Sequence, residues 1–521
     1  MRGLRLPIVV VTLIVCLFAS SEKSQAYISL LDGDLEINGF FKEQMFIRTA
    51  MPREEGDIHK SDIDFWRTNF IIEGLYKLKQ DGDLTINLFG GFKYYYEKSP
   101  AIDSEKKRSI NRWNYDKYLR PYDDDLLSEL YVDFQYGPLQ LKVGKQIVVW
   151  GETNLKQTAD IINPLDLRYG SPGTEAWEDI KLGLYMIRGL YQTDLPGQLN
   201  FEFIFIPGDF EAVRLPNENT YQGGKTYQST VDPLNGGLPD FGIAEWAMEK
   251  ARRDEPGWNI SNWEAGIKLR GYTWNVDWSV FYFNTINDAP TISDSDINAF
   301  KDFGAIYVLD AFDSDGDGVF NPQYPDYKVF SFKRYEVIGA TFQTRFENFP
   351  VSEWRLESFY LIGEPLNATN SGTQFGTYKG VRKDTFGFGL EGRDYYRIPY
   401  ITHNWFDDKK MAVSVSIFYE KILGFSRELI LRKGRGHRTG DSHASEITWS
   451  FSQQFFRAKW FAMFTGSYNF IGKWFVLPVL SYAPGEHWRF EAGLPLYGSS
   501  ASSNRGLNEK DSVLLRVRYE F

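Results

Sequence analysis

The chain has 521 residues, a formal net charge of −11 at pH 7, 17% aromatic residues and one cysteine. This acidic balance argues against nucleic-acid binding, which depends on basic surfaces. The mean hydropathy is negative. Beyond the N-terminus no apolar run approaches the roughly 18 residues of a transmembrane helix, so a helical membrane protein is excluded.

The N-terminus has the features of a secretory signal. A basic start precedes an apolar run over 6–18, and Ser24 and Ala26 have the spacing of a signal-peptidase site. The run is too short for a spanning helix, which needs about 20 apolar residues. We therefore expect residues 1–26 to be a signal peptide and residues 27–521 to form one domain.

The cysteine, Cys16, lies inside this apolar run. Lipid attachment requires a small residue directly before the cysteine, and Val15 is not small, so we expect no lipid anchor. The mature chain would then contain no cysteine, which excludes disulfides, thiolate metal sites and a thiol nucleophile.

Downstream, apolar and polar residues alternate with a period of two. The first predicted strand sets Ile37 and Phe41 on one face against Lys42 and Gln44 on the other. This alternation predicts strands of about the 9–11 residues that a tilted strand needs to cross a bilayer. The first five predicted strands cover 35–48, 66–76, 84–97, 126–136 and 139–150.

The links between predicted strands alternate in length. Tight turns such as 80–83 and 136–138 alternate with long polar loops such as 98–125 and 208–259. Short periplasmic turns and long extracellular loops are typical of bacterial outer-membrane barrels. We predict about 18 strands, an even number that places both ends of the chain in the periplasm. The pair of strands around the short turn at 472–473 is the least certain, and about 16 strands is the alternative.

The C-terminal stretch alternates in the same way. Val517, Tyr519 and Phe521 lie on one face of an extended strand, and Arg516 and Arg518 lie on the other. A strand that is apolar on one face and ends in Phe resembles the closing strand that the barrel-assembly machinery recognises. The alternative is an ordinary amphipathic strand at the end of a soluble protein.

The sequence therefore predicts an all-β fold, a transmembrane antiparallel β-barrel with a water-filled lumen. Charged residues on the inward faces require water, because a lipid-facing charge near the midplane costs about 2–4 kcal/mol. Their mixed sign argues against strong ion selectivity. The alternative is an interior closed by ion pairs and loops that conducts nothing. The predicted lumen-lining residues are Arg48, Arg67, Glu73, Lys93, Glu129, Asp133, Lys142, Arg188, Lys333 and Arg345.

The fifth predicted strand carries a motif over 144–152, followed by Asn-Pro-Leu-Asp at 163–166. These stretches resemble a family of Gram-negative outer-membrane proteins catalogued as domain of unknown function 1302. The resemblance implies a single barrel that moves lipid-like or hydrophobic compounds together with a periplasmic or inner-membrane transport partner. The residues that carry the resemblance or the proposed constriction are Gly144, Gln146, Trp150, Gly151, Glu152, Asn163, Pro164 and Asp166.

The residues of the motif also have a physical interpretation. Gly144 allows a neighbouring chain to approach closely, and Trp150 suits a membrane interface, where an indole lies at headgroup depth. Lys145 falls on the lipid-facing side, which predicts a bulge or another register. The segment 150–179 is long enough to fold into the lumen as a constriction or plug. The alternative is an interface anchor followed by a surface loop.

A calcium-binding loop is predicted over 313–324. Carboxylates at its first, third and fifth positions, glycine at the sixth, a backbone carbonyl at the seventh and a ligand at the ninth match a Ca²⁺ loop. The twelfth position is Tyr324 rather than Glu, which predicts weak affinity; a solvated Asp/Gly-rich turn is the alternative. The predicted ligands are Asp313, Asp315, Asp317, Val319 and Asn321.

The predicted loop over 423–444 is basic and suits the phosphates of lipopolysaccharide or anionic solutes, although a solvated loop is the alternative. An enzyme is not expected. Among the histidines, only His443, beside Asp441, Ser442 and Ser445, resembles material for a hydrolase, and neighbours along a strand point to opposite faces.

Two functions of different class follow from these patterns. The first is an outer-membrane channel or transporter, and the second is a non-conducting barrel that presents loops for binding or adhesion. Both predict contact with outer-membrane lipid and lipopolysaccharide, and neither predicts nucleic acid as a partner. No cofactor other than Ca²⁺ is expected.

Overall fold

A computed structural model gives the fold of the chain. The structure describes residues 27–49, 63–98, 126–156, 158–166, 175, 178–213, 256–289, 291–292, 297–298, 330–347, 349–369, 377–397, 410–426, 429–430, 442–499 and 511–521. The predicted signal peptide (1–26), the calcium ligands (313–321) and the basic residues of the 423–444 loop (427–438) lie outside the described residues.

Eighteen of the described strands form one antiparallel barrel, in which each strand pairs with the next and the last pairs with the first. Five strands of two or three residues lie outside this count: Ile28–Leu30, Thr291–Ile292, Ile297–Asn298, Phe330–Ser331 and Leu429–Ile430. The first nine are β1 Leu35–Arg48, β2 Ile63–Asp81, β3 Leu84–Lys98, β4 Leu127–Tyr136, β5 Leu139–Gln146, β6 Leu184–Gln192, β7 Asn200–Ile206, β8 Glu264–Thr273 and β9 Val276–Ile286. The others are β10 Arg334–Arg345, β11 Glu353–Thr369, β12 Thr377–Tyr396, β13 Met411–Ile422, β14 His443–Phe455, β15 Trp460–Asn469, β16 Lys473–Tyr482, β17 (Trp488–Gly493 and Leu496–Ser499) and β18 Ser512–Glu520.

Side-chain alternation sets the two faces of this wall. On β1, the alternate residues Phe40, Lys42, Gln44 and Phe46 are buried and face the lumen. Residues between lumen-facing positions are exposed on the outer surface, as Ile267 of β8 is. The predicted barrel is confirmed, and so is the count of 18; the alternative of 16 is wrong because β15 and β16 form a regular hairpin.

The barrel closes between β1 and β18. The N–H of Gly39 donates to the carbonyl oxygen of Phe521 at 2.9 Å, and the N–H of Phe521 donates back at 3.0 Å. A Cβ at Gly39 would lie 2.9 Å from the Phe521 ring, so glycine makes room for the aromatic side chain at this seam. The C-terminal strand is therefore part of the wall.

Connections of different length lie at the two ends of the barrel. Turns such as Gly82–Asp83 and Trp274–Asn275 lie at the end that holds the first and last described residues, Tyr27 and Phe521, called here the turn end. Odd-numbered strands run towards the opposite end, called here the loop end. The link after β15 lies there and is a short turn that ends at Gly472, whose φ is +95°.

The prediction for the fifth strand requires correction. The strand ends at Gln146 rather than at Trp150, because the chain then leaves the wall and enters the barrel. Lys145 does not mark a bulge: it pairs with Leu130 and Tyr185 in an unbroken register. The Lys145 side chain lies on the outer face of β5, near the loop end of this short strand. No helix of the described chain is long and apolar enough to cross a membrane.

Candidate functional site

The described residues of the link between β5 and β6 (147–156, 158–166, 175 and 178–183) lie inside the barrel and are called here the inserted segment. Asn163 belongs to the returning arm of this segment (the described residues of 160–183) and binds it to the outgoing arm (147–151). Its side-chain oxygen accepts a hydrogen bond from Val148 N at 2.7 Å, and its Nδ2 donates to the carbonyl oxygens of Gln146 and Leu182 at 3.0 and 2.8 Å. These bonds replace the strand ladder where β5 ends.

Trp150 fixes the inserted segment to the wall formed by β7, β8 and β9. Its side chain is completely buried, and its indole N–H donates to Glu202 Oε1 at 3.0 Å. Its ring lies 5.2 Å from that of Phe281 and 5.9 Å from that of Phe283. Lys268 Nζ donates to its carbonyl oxygen at 3.1 Å. The expected position of Trp150 at headgroup depth is therefore wrong.

The tip of the inserted segment, the described residues of 152–159, is bound by one carboxylate of β11, on the wall opposite β5 and β6. Glu357 of β11 is fully buried and accepts hydrogen bonds from four backbone N–H groups. Those of Glu152 and Thr153 bind Oε1, the latter at 2.5 Å. Those of Thr158 and Ala159 bind Oε2, each at 2.8 Å. A carboxylate binds such donors strongly because the bonds are charge-assisted.

Two neighbouring strands add to this attachment. Glu391 of β12 accepts hydrogen bonds from the backbone N–H groups of Asn154 and Leu155, at 2.9 and 3.1 Å. Lys156 Nζ forms an ion pair with Glu446 of β14 at 2.5 Å. The tip therefore contacts β11, β12 and β14 together, which lie across the lumen from the β5–β6 wall.

A second attachment joins the returning arm to the closing seam. The Glu175 carboxylate lies 2.6 Å from Lys42 Nζ and accepts a hydrogen bond from Gln44 Nε2 at 2.7 Å. Arg67 and Arg516 lie 3.7 and 3.8 Å away. Burial by itself would raise the pKa of Glu175, but these three cations outweigh burial and lower it to about 2. Glu175 is therefore ionised at neutral pH.

The inserted segment also packs into an apolar cluster against the inner wall. The buried ion pair of Lys181 with Asp160 lies beside this cluster. Apolar burial of this kind favours one fixed position of the segment. The buried members of the cluster are Val148, Trp150, Ala159, Ile162, Leu184, Met186, Ile204, Ile206, Phe281, Phe283, Val337, Phe359, Leu361 and Phe418.

A cavity of about 530 Å³ lies between the inserted segment and the turn-end part of β1–β4 and β18. Ile147, Val149 and Asp179 of the segment form one side of it. Burial raises the pKa of Asp179, because nearby cations do not fully offset the loss of water. The barrel wall contributes aliphatic, aromatic and charged residues to this cavity, namely Phe40, Ile71, Glu73, Phe89, Lys93, Glu129, Arg518 and Glu520.

Several predicted lumen-lining residues lie in this central region. Glu73, Lys93 and Glu129 line the cavity, and Glu129 Oε1 accepts a hydrogen bond from Ile147 N at 2.8 Å. Arg67 is fully buried beside Glu175. These residues were predicted from parity alone, and the inserted segment lies against all of them.

The other predicted lining residues lie further from the inserted segment. Lys142 lies 3.6 Å from Asp133, and Arg188 lies 2.8 Å from the Glu202 carboxylate that Trp150 also contacts. Arg48 ends β1 at the loop end. Lys333 precedes β10 directly and is buried, whereas Arg345 is exposed at the turn end of that strand.

Residues of the family motif hold the base and the tip of the inserted segment. Gly144 has φ +137°, and a Cβ there would collide with the carbonyl oxygen of Leu130. A Cβ at Gly151 would lie 3.1 Å from Glu357 Oε1, so a larger residue would crowd the carboxylate that binds the tip. Gln146 Nε2 donates to the carbonyl oxygen of Met186 at 3.1 Å.

Pro164 and Asp166 belong to the returning arm. The carbonyl oxygen of Pro164 accepts a hydrogen bond from Leu182 N at 2.9 Å, and Asp166 N donates to the carbonyl oxygen of Ile180 at 2.6 Å. These bonds flank a short antiparallel bridge between Leu165 and Lys181.

Sequence patterns alone do not reveal the wall residues that bind the inserted segment, which are Glu202, Lys268, Glu357 and Glu391. Each is a charged residue at an inward position in the middle of a strand. That parity is visible in the sequence, but their backbone partners are distant along the chain, so no local pattern connects them.

The structure describes only some of the residues considered for hydrolysis. His443 lies at the loop end of β14, on the outer face, with its ring stacked on Tyr419 at 6.3 Å between centroids. Asp441 lies outside the described residues. The described part of the chain contains no group of three or more acidic, His or Cys side chains suited to a metal ion.

Comparison of the sequence with known proteins gives one family. A family model described as "Protein of unknown function (DUF1302)" matches residues 54–521. No curated protein matches the sequence.

Solved structures similar to this chain are barrels with low sequence identity. OmpF of Salmonella typhi, in complex with daunomycin, has a TM-score of 0.40 and 10% identity, covering 95% of this chain and 100% of its own. OccAB3 of Acinetobacter baumannii has a TM-score of 0.46 and 9% identity, covering 94% and 99%. OccK5 (OpdH) of Pseudomonas aeruginosa has a TM-score of 0.45 and 10% identity, covering 95% and 99%.

Proposed function

The chain belongs to the DUF1302 family, whose function is unknown, and we propose that it is a porin-like channel of a Gram-negative outer membrane, narrowed by its inserted segment. The observation that carries this proposal is the binding of four backbone N–H groups of the segment by Glu357 on the far wall. A segment held across the lumen at this level limits what can pass.

The two faces of the barrel support a membrane position. Exposed outward residues at mid-strand include Ile267, Val280 and Ile338, whereas charged residues such as Glu357 and Lys268 face inward. This distribution suits a wall with hydrocarbon outside and water inside. In this proposal the turn end faces the periplasm and the loop end faces the exterior.

The cargo class proposed here is hydrophobic or lipid-like compounds. Two features support it: the apolar cluster between the inserted segment and the inner wall, and the cavity of about 530 Å³, whose lining mixes aromatic and charged groups. Such a lining accommodates molecules with an apolar body and a polar end. The mixed charge signs of the lumen favour weak ion selectivity.

Channel recordings on the purified, refolded protein test the proposal. Insertion into a planar bilayer is expected to give discrete conductance steps. Removal of residues 155–173, which include part of the tip, is expected to raise the size of these steps. Heat-modifiable electrophoretic mobility serves as the control for a folded barrel. Equal conductance with and without the tip would contradict the constriction.

A non-conducting barrel that presents surface loops is the second candidate. The inserted segment is attached to opposite walls of the lumen. If these attachments close the lumen completely, the barrel does not conduct and the second candidate applies. Absence of conductance from protein with normal heat-modifiable mobility would select this candidate. Either function involves folding by the barrel-assembly machinery, and contact of the basic 423–444 loop with lipopolysaccharide is proposed for both.

A further inference from the structure

Two prolines lie at the same level of the wall, one within β16 and one in the gap between the two parts of β17. Pro478 of β16 lies opposite Leu494, in the gap between the two parts of β17, and Leu494 N donates to the carbonyl oxygen of Pro478 at 3.0 Å. Opposite residues of an antiparallel pair normally exchange two such bonds. Proline has no N–H, so Pro478 cannot donate the second.

The next seam has the same defect. β17 pairs with β18 from Trp488 to Gly493, and beyond this ladder Ser512 N donates to the carbonyl oxygen of Pro495 at 3.2 Å. Pro495 cannot donate back. Further towards the loop end, Tyr497 N donates to the Asp511 side chain at 2.8 Å. The backbone ladder of this seam therefore lacks one N–H donor, at Pro495.

An apolar groove of about 660 Å³ lies at this part of the wall. Parity along β15, β16 and β17 shows that it lies mainly on the outer face, where small residues leave a hollow between larger ones. Most of its lining is apolar, so the groove suits a hydrocarbon chain rather than a polar group. The outward residues that line it include Ala462, Phe464, Pro478, Leu480, Ala492, Leu494 and Val513.

The inner face is also apolar at this level. Met463 of β15 and Val479 of β16 have inward parity, and Leu477 and Leu514 are buried there beside this seam. On β11 the corresponding mid-strand position carries Glu357 instead. The nearest inward charges on this seam, Glu491 and Arg516, lie towards the turn end and neutralise each other in an ion pair at 2.9 Å.

We propose that the region between β16 and β18 is a lateral opening, through which the hydrocarbon part of a hydrophobic cargo moves between the lumen and the membrane core. The outer groove holds the chain as it leaves or enters. This inference rests on the proposed channel function and adds the route to it. The two prolines lower the number of backbone bonds that separation of the strands must break.

A disulfide across the seam tests the opening. The bond from Ser512 to Pro495 continues the β17–β18 register beyond Gly493. In this register Leu494 lies opposite Val513, and both residues line the groove. The variant Leu494→Cys/Val513→Cys suits this test because the one natural cysteine, Cys16, lies in the predicted signal. The matched control is Ile417→Cys/Ile447→Cys, a facing pair on the uninterrupted β13–β14 seam.

The measurements are transfer of a fluorescent fatty acid into proteoliposomes and KCl conductance in planar bilayers. Oxidation of the seam pair is expected to reduce fatty-acid transfer to the rate of protein-free liposomes, with recovery after reduction and unchanged KCl conductance. The control pair is expected to transfer fatty acid normally. Unchanged transfer with a fully formed seam disulfide would overturn the lateral opening, whereas absent KCl conductance in the unmodified protein would overturn the channel itself.

Replacement of the prolines is an independent test without a cross-link. Pro478→Val/Pro495→Val restores two N–H donors and is expected to slow fatty-acid transfer. Pro365→Val on β11 is the matched control, since Pro365 also lies within a strand but far from this seam in the strand order. Equal transfer by the double variant and the unmodified protein would count against the opening.

Discussion

The carboxylate of Glu357 on β11 accepts a hydrogen bond from the backbone N–H of Ala159, 198 positions earlier in the chain, at 2.8 Å. The bond joins the tip of the inserted segment to the wall opposite its origin. Because Glu357 is fully buried and binds three further N–H groups, the tip is a fixed part of the lumen rather than a surface loop.

Substitution of Glu357 by Gln is expected to release the tip. The amide keeps one acceptor oxygen but presents an NH₂ group to two of the backbone donors, and each hydrogen bond to a charged group contributes about 1.5–3 kcal/mol. We expect larger and noisier conductance steps, together with new protease cleavage between 152 and 159. Single-channel recording and limited proteolysis measure these two effects.

Glu353→Gln is the matched control for this experiment. Glu353 lies on the same strand and inner face, and its carboxylate pairs with Arg355 at 2.5 Å. Its substitution removes the same charge from the lumen but leaves the four bonds of Glu357 in place. Equal effects of both variants would show that charge rather than anchoring controls the conductance.

Substitution of Glu175 by Gln is expected to loosen the returning arm. The variant leaves Lys42, Arg67 and Arg516 close together without the carboxylate that neutralises them. Removal of one partner from a buried ion-pair group costs about 3–5 kcal/mol. We expect increased conductance and a shift towards anion selectivity, measured as a reversal potential in a KCl gradient. Asp133→Asn, which removes a carboxylate paired with Lys142 in the wall, should shift selectivity less.

The pKa of Glu175 predicts how this attachment responds to pH. The pKa in the folded protein, about 2, lies below the ordinary value of 4.5. Because folding lowers the pKa, ionised Glu175 contributes its full stabilisation at pH values above 4.5, the ordinary pKa. This stabilisation is lost as the pH falls through the folded-state pKa of about 2. Protease protection of the returning arm should thus persist at about pH 4 and fail near pH 2. Loss of protection at about pH 4 in the unmodified protein would contradict the assigned pKa.

The wall of the barrel was predictable from local alternation, but the inserted segment was only partly so. Ile147, Val148 and Val149 continue the apolar pattern of β5, and nothing local shows that the strand ends at Gln146. The Trp–Gly pair at 150–151 is typical of a membrane interface, so the sequence predicts that position for it. Its position inside the barrel is instead fixed by Glu202, Phe281 and Glu357. These residues belong to strands that come later in the chain, so no local pattern reveals the contact.

The sequence of the 313–324 loop predicts a response to calcium that can be measured without knowledge of its structure. Three alternate aspartates repel one another unless a cation lies between them, and the missing Glu at the twelfth position predicts affinity of about 10⁻⁴–10⁻³ M. Millimolar Ca²⁺ is expected to protect the chain from proteolysis near Asp317. Asp315→Asn should weaken this protection. The same protection by Mg²⁺ would indicate charge screening rather than a calcium site.

Substitution of Trp150 by Ala tests the packing of the inserted segment against the wall. Its side chain is completely buried against Phe281 and Phe283, and removal of a buried Trp costs about 3–5 kcal/mol. Trp274→Ala is the control, because the side chain of Trp274 is 94% exposed at the β8–β9 turn and its loss should change stability by about 0.5 kcal/mol or less. Urea unfolding in lipid vesicles gives both free energies of unfolding. A small effect at Trp150 would mean that the segment leaves the lumen without disturbing the barrel, and the constriction would then be a movable plug.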